Sequence, residues 1–431
     1  MIKKIIVQQR EERDFLLSLP YIQRFQEKGL AGYLQSSLIK LITGPRRAGK
    51  SVMALQMLKE HPFAYLNFDD ELLLKHFHED EVVKTLHEVY AGFQYVILDE
   101  IQNLPGWEIW VNKLNRRGFN LVITGSNAKL LSHEMASLLT GRYVQLAVFP
   151  FSFHEVLRFN AISMPDTDGD TPVKTGEMQH HMDTYIKKGG FPETLQNPDM
   201  FQSYLSALFD AVLLKDVVNR FKVRQTRQLY DLASYLLTNY TNPYTYNQLT
   251  SELQFNSVAT MKKFVGYLEE PYLFLNLTRY HHKIRQQQKS PVKSYIIDSG
   301  FVMARSFELS PNHGRLLENA VFVELMRRHY QPGQTLFYYR TRNNREVDFL
   351  LREGHIVSQL IQVSYDISGS KTLKREIQAL AEAAGELSCS NLLLINWDRD
   401  EVIEQGRYSI KMVPAYQWFN DFYHSDPHLN Q

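Results

Sequence analysis

The chain has 431 residues, of which 44% are hydrophobic and 22% charged, and its formal net charge at pH 7 is +1. This composition is typical of a folded globular protein with about three domains, and the near-neutral charge excludes nucleic-acid binding spread over the whole surface. The single cysteine, Cys389, excludes an internal disulfide and a cysteine-rich zinc site, and it favours a reducing cytoplasm as the location. The N-terminal segment is too polar for a secretory signal and no apolar run approaches about 18 residues, so we expect neither a leader nor a membrane span.

Residues 1–37 predict a mixed, mainly helical lead-in, and the apolar run Leu38–Thr43 predicts a buried strand. The phosphate-loop pattern G-x-x-x-x-G-K-[ST] then follows as Gly44, Pro45, Arg46, Arg47, Ala48, Gly49, Lys50 and Ser51. The glycines of such a loop let backbone N–H groups point at phosphate oxygens, and the N-terminus of the next helix faces the same anion. We therefore predict ATP binding, with Lys50 reaching the β- and γ-phosphates and the Ser51 hydroxyl ligating Mg2+.

Phe63–Phe68 predicts a second strand, and the acidic residues 69–71 after it are expected to cap the next helix. A third apolar strand, Tyr95–Leu98, ends in two carboxylates, Asp99 and Glu100. In an open α/β sheet, ligands lie outside the carboxyl ends of the strands. We therefore expect Asp99 near the Mg2+ ion, and Glu100 in place to orient or deprotonate the water that attacks the γ-phosphate.

Asn120–Gly125 predicts a further strand, and the polar residues directly after it are Ser126 and Asn127. Either could hydrogen-bond the γ-phosphate or the attacking water, or else cap a helix. The pattern does not show which of the two residues, Ser126 or Asn127, has this role. Asn127 is included among the candidate catalytic residues. Arg142 is a candidate for the arginine that stabilises transition-state charge, in cis or from a neighbouring subunit, and a surface ion pair is the alternative.

The segments GPRRAGKS, VILDEIQ, VITGSN and LLTGRYVQLAVFPFSFHEVL resemble the AAA-type ATPases of the prokaryotic "ATP-binding protein" family. The likeness continues downstream in GGFPE, YIIDSG, LEN and EVDF and covers nearly the whole chain. It implies an archaeal-type ATPase core, here residues 1–160, followed by a C-terminal domain of unknown function. It also implies a small helical lid, here residues 181–225. The Pro-, Asp- and Thr-rich residues 161–180 are expected to form an exposed loop.

Residues 226–300 have the order of a winged helix-turn-helix. Helices are predicted over Gln228–Leu237, Thr245–Leu253 and Ser257–Leu268, and strands over Tyr272–Thr278 and Val292–Ile297 with a basic hairpin tip between them. The third helix holds the position that enters a major groove. From Lys222 to Lys293 there are ten Lys and Arg against four Asp and Glu, a surplus typical of phosphate contacts. The candidate DNA contacts are Thr260, Lys262, Lys263, Lys283, Arg285 and Lys289. A protein-interaction module or a rigid connector is the alternative.

Residues 312–431 predict a helix, three strands, a helix and a strand. Their expected ranges are Gly314–Tyr330, Thr335–Arg340, Glu346–Leu351, Ile356–Tyr365, Leu373–Ala384 and Asn391–Asn396. This order resembles the core of the PD-(D/E)xK nuclease superfamily, which implies a Mg2+ site at Glu318, Asp348 and an acidic-x-Lys sequence on the third strand. That sequence here reads Gln362-Val-Ser364, and serine cannot replace a cationic lysine. We therefore expect a nuclease-like fold with a degenerate, inactive site at Glu318, Asp348 and Gln362.

The sequence thus predicts an α/β protein with a P-loop NTPase parallel sheet of AAA type, a helical lid, a winged helix and a C-terminal α/β nuclease-like domain. The expected function is a Mg2+-dependent ATPase that couples its nucleotide state to DNA engagement. The alternative is a nucleotide-gated signalling protein with little turnover that acts on a protein partner through its C-terminal half. Assembly of the chain into a homo-oligomer is left open. An active nuclease is the third hypothesis.

Overall fold

The computed structural model describes residues 1–25, 27, 29, 32–126, 141–163, 171–305 and 312–425, with side chains through residue 421. Two compact units make up the chain, one from residues 1–150 with 270–272 and the other from residues 151–269 with 273–430. Phe153 belongs to the second unit, where its ring packs against Tyr185 and Phe419 with centroid distances of 5.6 and 6.4 Å.

A five-stranded parallel sheet in the order β2-β3-β4-β1-β5 forms the centre of the first unit. Its strands are β1 Ile39–Thr43, β2 Phe63–Asn67, β3 Tyr95–Asp99, β4 Asn120–Gly125 and β5 Tyr143–Ala147. Strands β1 to β4 are mostly apolar and almost fully buried, because both faces of the sheet are covered, whereas the edge strand β5 is mostly half-buried. In β1, for example, Ile39 and Leu41 belong to one hydrophobic core and Ile42 to the other.

Among the described residues, five helices pack around this sheet. They are α1 Ile2–Ser18, α2 Lys50–Met57, α3 Glu71–Lys75, α4 Glu79–Val89 and α5 Trp107–Arg116, with a 3-10 turn at Ile101–Asn103. The expected acidic cap is confirmed at α3, since the Asp70 side chain accepts hydrogen bonds from the backbone N–H groups of Leu72 and Leu73.

The second unit begins with helices. They are α6 Phe153–Phe159, α7 Pro172–Lys188, α8 Pro192–Gln196 and α9 Phe201–Ala211, with a 3-10 turn at Pro198–Met200 and a π-helical segment at Val212–Asn219. The loop predicted over residues 161–180 is wrong from Pro172 onward. Thr171 caps α7 and Pro172 is its first residue, so the polar and Pro signals mark the start of a helix instead of a loop.

The next elements follow the predicted order closely. They are α10 Thr226–Thr238, β6 Pro243–Tyr244, α11 Tyr246–Glu252, α12 Val258–Glu269, β7 Phe274–Thr278, α13 Ile284–Gln287, β8 Val292–Ile296 and α14 Gly300–Arg305. The three strands form an antiparallel sheet in the order β6-β8-β7. A one-turn helix, α13, occupies the tip between β7 and β8.

A six-stranded sheet in the order β13-β14-β12-β11-β10-β9 completes the second unit. Its elements are α15 His313–Arg327, β9 Leu336–Arg340, β10 Glu346–Glu353, β11 Ile356–Val363, α16 Ser370–Leu387, β12 Leu392–Asn396, β13 Glu401–Gln405, β14 Tyr408–Pro414 and α17 Ala415–Ser425. The last three of these were not predicted. β13 is a mostly exposed, charged edge strand and gives little hydrophobic pattern. In the part of the chain that the structure describes, every helix is too short or too polar to span a lipid bilayer.

Candidate active site

The phosphate loop connects β1 to α2 at the carboxyl edge of the parallel sheet. Gly44 has a φ of 147°, and a Cβ atom there would lie 1.9 Å from the carbonyl oxygen of Val148, so only glycine fits. Gly49, with a φ of 94°, caps α2, and Arg47 also has a positive φ of 66°. These positive φ values bend the backbone in the way that a phosphate-binding loop requires.

Lys50 is buried beneath this loop, with only 3% of its side chain exposed. Its Nζ atom lies 2.8 Å from Ser126 Oγ, 3.0 Å from the carbonyl oxygen of Pro45 and 3.5 Å from Glu100 Oε1. An ammonium group has three donors, and each of these three groups can take one. The lysine is therefore held at the loop, in reach of the carboxylate that follows β3.

Ser51 and Asp99 meet at the same edge, because the Ser51 hydroxyl donates to Asp99 Oδ1 at 2.8 Å. Asp99 is buried and also accepts from the hydroxyls of Tyr65, at 2.8 Å, and Thr124. Burial, and then the charge of Glu100, raise the pKa of Asp99 above its usual range, while the three hydroxyl donors oppose this rise. A hydroxyl and a carboxylate in contact are oxygen ligands of the kind that Mg2+ prefers, so the pair fits the predicted metal site.

Glu100 follows Asp99 in a left-handed backbone conformation with a φ of 50°, and its N–H group donates to Thr124 Oγ1 at 3.0 Å. Its carboxylate accepts from Ser126 Oγ, at 2.8 and 3.0 Å, and from the side-chain amide of Gln102. Burial acts to raise the pKa of Glu100, but Lys50, Gln102 and Ser126 outweigh it and bring the pKa down to about 2. The carboxylate is therefore ionised at neutral pH, as a general base must be.

Ser126 links the two charged groups of the site. Strand β4 lies between β1 and β3, so the residue that follows it sits between Lys50 and Glu100. Ser126 is buried, and its hydroxyl contacts both of them. The sequence left Ser126 and Asn127 as alternatives for a polar residue at this strand end. The geometry favours Ser126, while Asn127 lies outside the described residues.

Arg24 is a part of the site that the sequence analysis missed. Its guanidinium group is buried and donates to the carbonyl oxygens of Ala48, at 2.9 Å, and Phe149, at 2.6 Å. Ala48 belongs to the phosphate loop, so Arg24 fixes the loop from behind. The sequence could not predict this contact, because Arg24 and Phe149 are 125 residues apart.

Arg142 lies away from the phosphate loop within its own chain. It directly precedes β5, and its carbonyl oxygen accepts a hydrogen bond from the N–H group of Ile39, the first residue of β1. The phosphate loop follows the other end of β1, roughly 13–16 Å away along a strand of this length. The exposed Arg142 side chain therefore starts from the opposite edge of the sheet. This position argues against the arginine role in cis, and the role in a neighbouring subunit stays a prediction.

The candidate DNA contacts are mostly solvent-exposed. Lys262 and Lys263 are exposed on α12, whereas Thr260 is half-buried, and its N–H group bonds to Ser257 Oγ. The hairpin residues Lys283, Arg285 and Lys289 are all exposed. The surplus of Lys and Arg counted over residues 222–293 includes Lys293, which is buried. The surplus of positive charge at the surface is therefore smaller than the sequence suggested.

The residues of the predicted degenerate nuclease site lie together in the second unit. Asp348 accepts from the backbone N–H group of Val363 at 3.0 Å, and its own N–H group lies 3.4 Å from Gln362 Oε1. Glu318 Oε1 and Asp348 Oδ1 both contact the Nζ atom of Lys293, at 2.9 and 3.3 Å. The sequence did not predict this lysine at the site.

Comparisons with known proteins divide the chain into three matches. Residues 36–157 match a family described as "AAA domain", and residues 179–310 and 313–418 match two domains of unknown function, DUF8612 and DUF4143. The AAA match spans the phosphate loop, Asp99 and Glu100, and it supports an ATPase of the P-loop class.

Two relatives cover most of the chain. "Uncharacterized protein MJ1544" of Methanocaldococcus jannaschii is 32% identical over 397 residues, which cover 88% of this chain and 88% of that protein. An "Uncharacterized protein" of Haemophilus influenzae is 32% identical over 356 residues, which cover 78% of this chain and 85% of that protein. Among solved structures, the Walker-type ATPase PABY2304 of Pyrococcus abyssi aligns with a TM-score of 0.45 at 16% identity, covering 66% of this chain and 95% of that one.

Proposed function

We propose that this chain, which belongs to the same protein family as MJ1544 of Methanocaldococcus jannaschii, binds ATP with Mg2+ and hydrolyses it. The observation that carries the proposal is the convergence of Lys50, Ser51, Asp99, Glu100 and Ser126 at one edge of the parallel sheet.

In the proposed reaction the backbone N–H groups of the phosphate loop and the N-terminus of α2 bind the phosphates. Lys50 exchanges its contact with Glu100 for the β- and γ-phosphates. Ser51 and Asp99 would hold Mg2+, which would supply positive charge to the phosphate oxygens. Glu100, ionised at neutral pH, orients the attacking water and accepts its proton.

Ser126 is proposed as the group that reports the γ-phosphate. Its hydroxyl lies 2.8 Å from both Lys50 Nζ and Glu100 Oε1, so movement of either side chain changes its hydrogen bonds. A γ-phosphate attracts Lys50 and repels Glu100, because the phosphate is an anion. Arrival of ATP would therefore break the resting set of contacts, and hydrolysis would restore it.

We further propose that the nucleotide state controls DNA engagement by residues 226–296. Three features support this proposal: the helix–helix–helix–hairpin order of a winged helix, the exposed Lys262 and Lys263 on its third helix, and the exposed basic residues of its hairpin. A hairpin with three exposed cations and a helix with two would give a salt-dependent contact with phosphates.

The test is ATP turnover by the full-length protein at low salt, alone, with duplex DNA and with single-stranded DNA, beside a Glu100→Gln control. We expect Mg2+-dependent turnover that DNA stimulates and that the control lacks. Turnover that is indifferent to either DNA would disprove the coupling but not the ATPase assignment. Turnover of Glu100→Gln at the wild-type rate would disprove the role of Glu100.

A further inference from the structure

A cleft opens in the C-terminal part of the second unit and is lined by residues of that unit. Its volume is about 850 Å3, and its lining includes Glu318, Glu346, Asp348, Arg340 and Arg345. The lining is strongly charged, so the cleft is a polar site and not a gap in the hydrophobic core.

Three carboxylates of this cleft surround one ammonium group. The Nζ atom of Lys293, from β8, lies 2.8 Å from Glu346 Oε1, 2.9 Å from Glu318 Oε1 and 3.3 Å from Asp348 Oδ1. Only 2% of the lysine side chain is exposed. The three N–H donors of the ammonium group thus have three carboxylate acceptors, the number they can use.

The carboxylates are also bound by other donors of the protein. Tyr295 OH donates to Glu318 at 2.8 Å, a guanidinium N–H of Arg340 to Glu346 at 3.1 Å, and the Val363 N–H group to Asp348 at 3.0 Å. These donors, together with Lys293, leave the carboxylates hydrogen-bonded without an added ion.

We propose that Lys293 is the resident cation of this cleft. Its ammonium group takes the place of a divalent metal ion among Glu318, Glu346 and Asp348, so the cleft holds no Mg2+ or Mn2+ while the lysine is present. The lysine comes from the sheet β6-β8-β7 and the carboxylates from α15 and β10, so the same contact also joins two parts of the second unit. Removing the lysine would leave three carboxylates close together, with 9–26% of their side chains exposed, and a divalent cation would then bind them.

The test is Mn2+ binding by the full-length protein, without nucleotide, in an Asp99→Asn background that removes a ligand of the ATP site. With Lys293 present we expect no stoichiometric Mn2+. The near-isosteric Lys293→Met should bind one Mn2+ per chain, with affinity raised by about tenfold or more, and should be stabilised thermally by it. Adding Asp348→Asn should abolish that gain. Lys289→Met, which removes an exposed lysine of the same unit, should gain nothing.

Two results would overturn the proposal. One is stoichiometric Mn2+ in the chain that retains Lys293, lost on Asp348→Asn. The other is a Lys293→Met protein with the circular dichroism and gel-filtration behaviour of the parent that binds no Mn2+. The first measurement does not need the Lys293 variant, so it can overturn the proposal even if Lys293→Met fails to fold. The outcome is independent of ATP hydrolysis.

Discussion

Lys50 and Glu100 form an ion pair, with Nζ 3.5 Å from Oε1, and the hydroxyl of Ser126 lies between them. The lysine that should bind the γ-phosphate and the carboxylate that should activate water are therefore partners in this state. The pair is largely buried, with 3% and 12% of the side chains exposed, so the interaction is weakly screened by solvent. An ATP γ-phosphate must compete with Glu100 for Lys50, which makes the pair a natural point of control.

Separate changes at these two residues should have different effects. Lys50→Ala should weaken ATP binding by about tenfold or more, because it removes the cation proposed to contact the phosphates. Glu100→Gln should bind ATP at least as tightly as the wild type, because a charge facing the γ-phosphate is lost, but should lower kcat by about a hundredfold or more. Binding of a fluorescent ATP analogue and steady-state turnover measure the two effects. Equal loss of binding in both variants would contradict the assigned roles.

Ser126→Ala should lower kcat with little change in ATP affinity. The substitution removes the hydroxyl that positions Glu100 and Lys50, and we expect a decrease of about tenfold, the scale of one hydrogen bond to a charged group. Ser126→Thr retains the hydroxyl and serves as the matched control. The pH dependence of kcat/KM adds a second readout, because loss of a donor to Glu100 should raise the pKa of this carboxylate. An unchanged kcat together with an unchanged pH profile would rule out this role.

Arg24→Ala should weaken nucleotide binding although Arg24 lies behind the phosphate loop. The change removes two hydrogen bonds from a charged donor, to the carbonyl oxygens of Ala48 and Phe149, each worth about 1.5–3 kcal/mol. We expect a higher KM for ATP and a lower melting temperature that saturating ATP partly restores. Arg10→Ala is the control, since Arg10 bonds to the carbonyl oxygen of Val89, outside the phosphate loop. If both variants have the same KM for ATP, Arg24 does not support the loop.

The sequence predicted site residues whose position follows from neighbouring residues, and it missed contacts between residues that are far apart in the chain. Asp99 and Glu100 were identified because they directly follow an apolar strand, and a strand, its end and the ligand side of a parallel sheet are linked by local rules. The contacts of Arg24 with Phe149 and of Lys293 with Asp348 span 125 and 55 residues. The sequence next to Arg24 or Lys293 does not distinguish this buried residue from an arginine or lysine on the surface. For the same reason, the sequence analysis counted Lys293 among the basic residues expected to contact DNA, although the fold buries it among carboxylates.

Asp298 should make the second unit less stable as the pH rises from about 4 to 7. The buried carboxylate accepts from the N–H groups of Gly190 and Gly300, each at 2.8 Å, yet burial raises its pKa from 3.8 to about 6. Between pH 3.8 and about pH 6, the folded state therefore keeps a proton on Asp298 that the unfolded state has already lost. Its contribution to stability is complete below the unfolded pKa and is lost as the pH passes the folded pKa, a change of about 3 kcal/mol.

Asp298→Asn tests this dependence, because the amide does not titrate. The melting temperature of the wild type relative to Asp298→Asn should fall between pH 4 and pH 7, as measured by circular dichroism. Asp199→Asn, at an exposed carboxylate of the same unit, is the control and should show no comparable fall. A melting-temperature difference that rises with pH would mean that the Gly190 and Gly300 N–H groups outweigh burial and that the shift has the opposite sign.

The basic hairpin tip gives the most direct test of DNA engagement. Replacing Lys283, Arg285 and Lys289 together by Ala should weaken DNA binding at low salt for every sequence, because all three are exposed and would contact phosphates. The slope of log affinity against log salt should become shallower by about 2–3, close to 0.9 for each lost phosphate contact. Fluorescence anisotropy with labelled duplex DNA at several salt concentrations measures both effects.

The control variant replaces Lys59, Lys84 and Arg116, three exposed cations of the first unit, and changes the net charge equally. If the two triple variants bind DNA alike, the hairpin makes no specific contact, and a protein partner becomes the better explanation of residues 226–296.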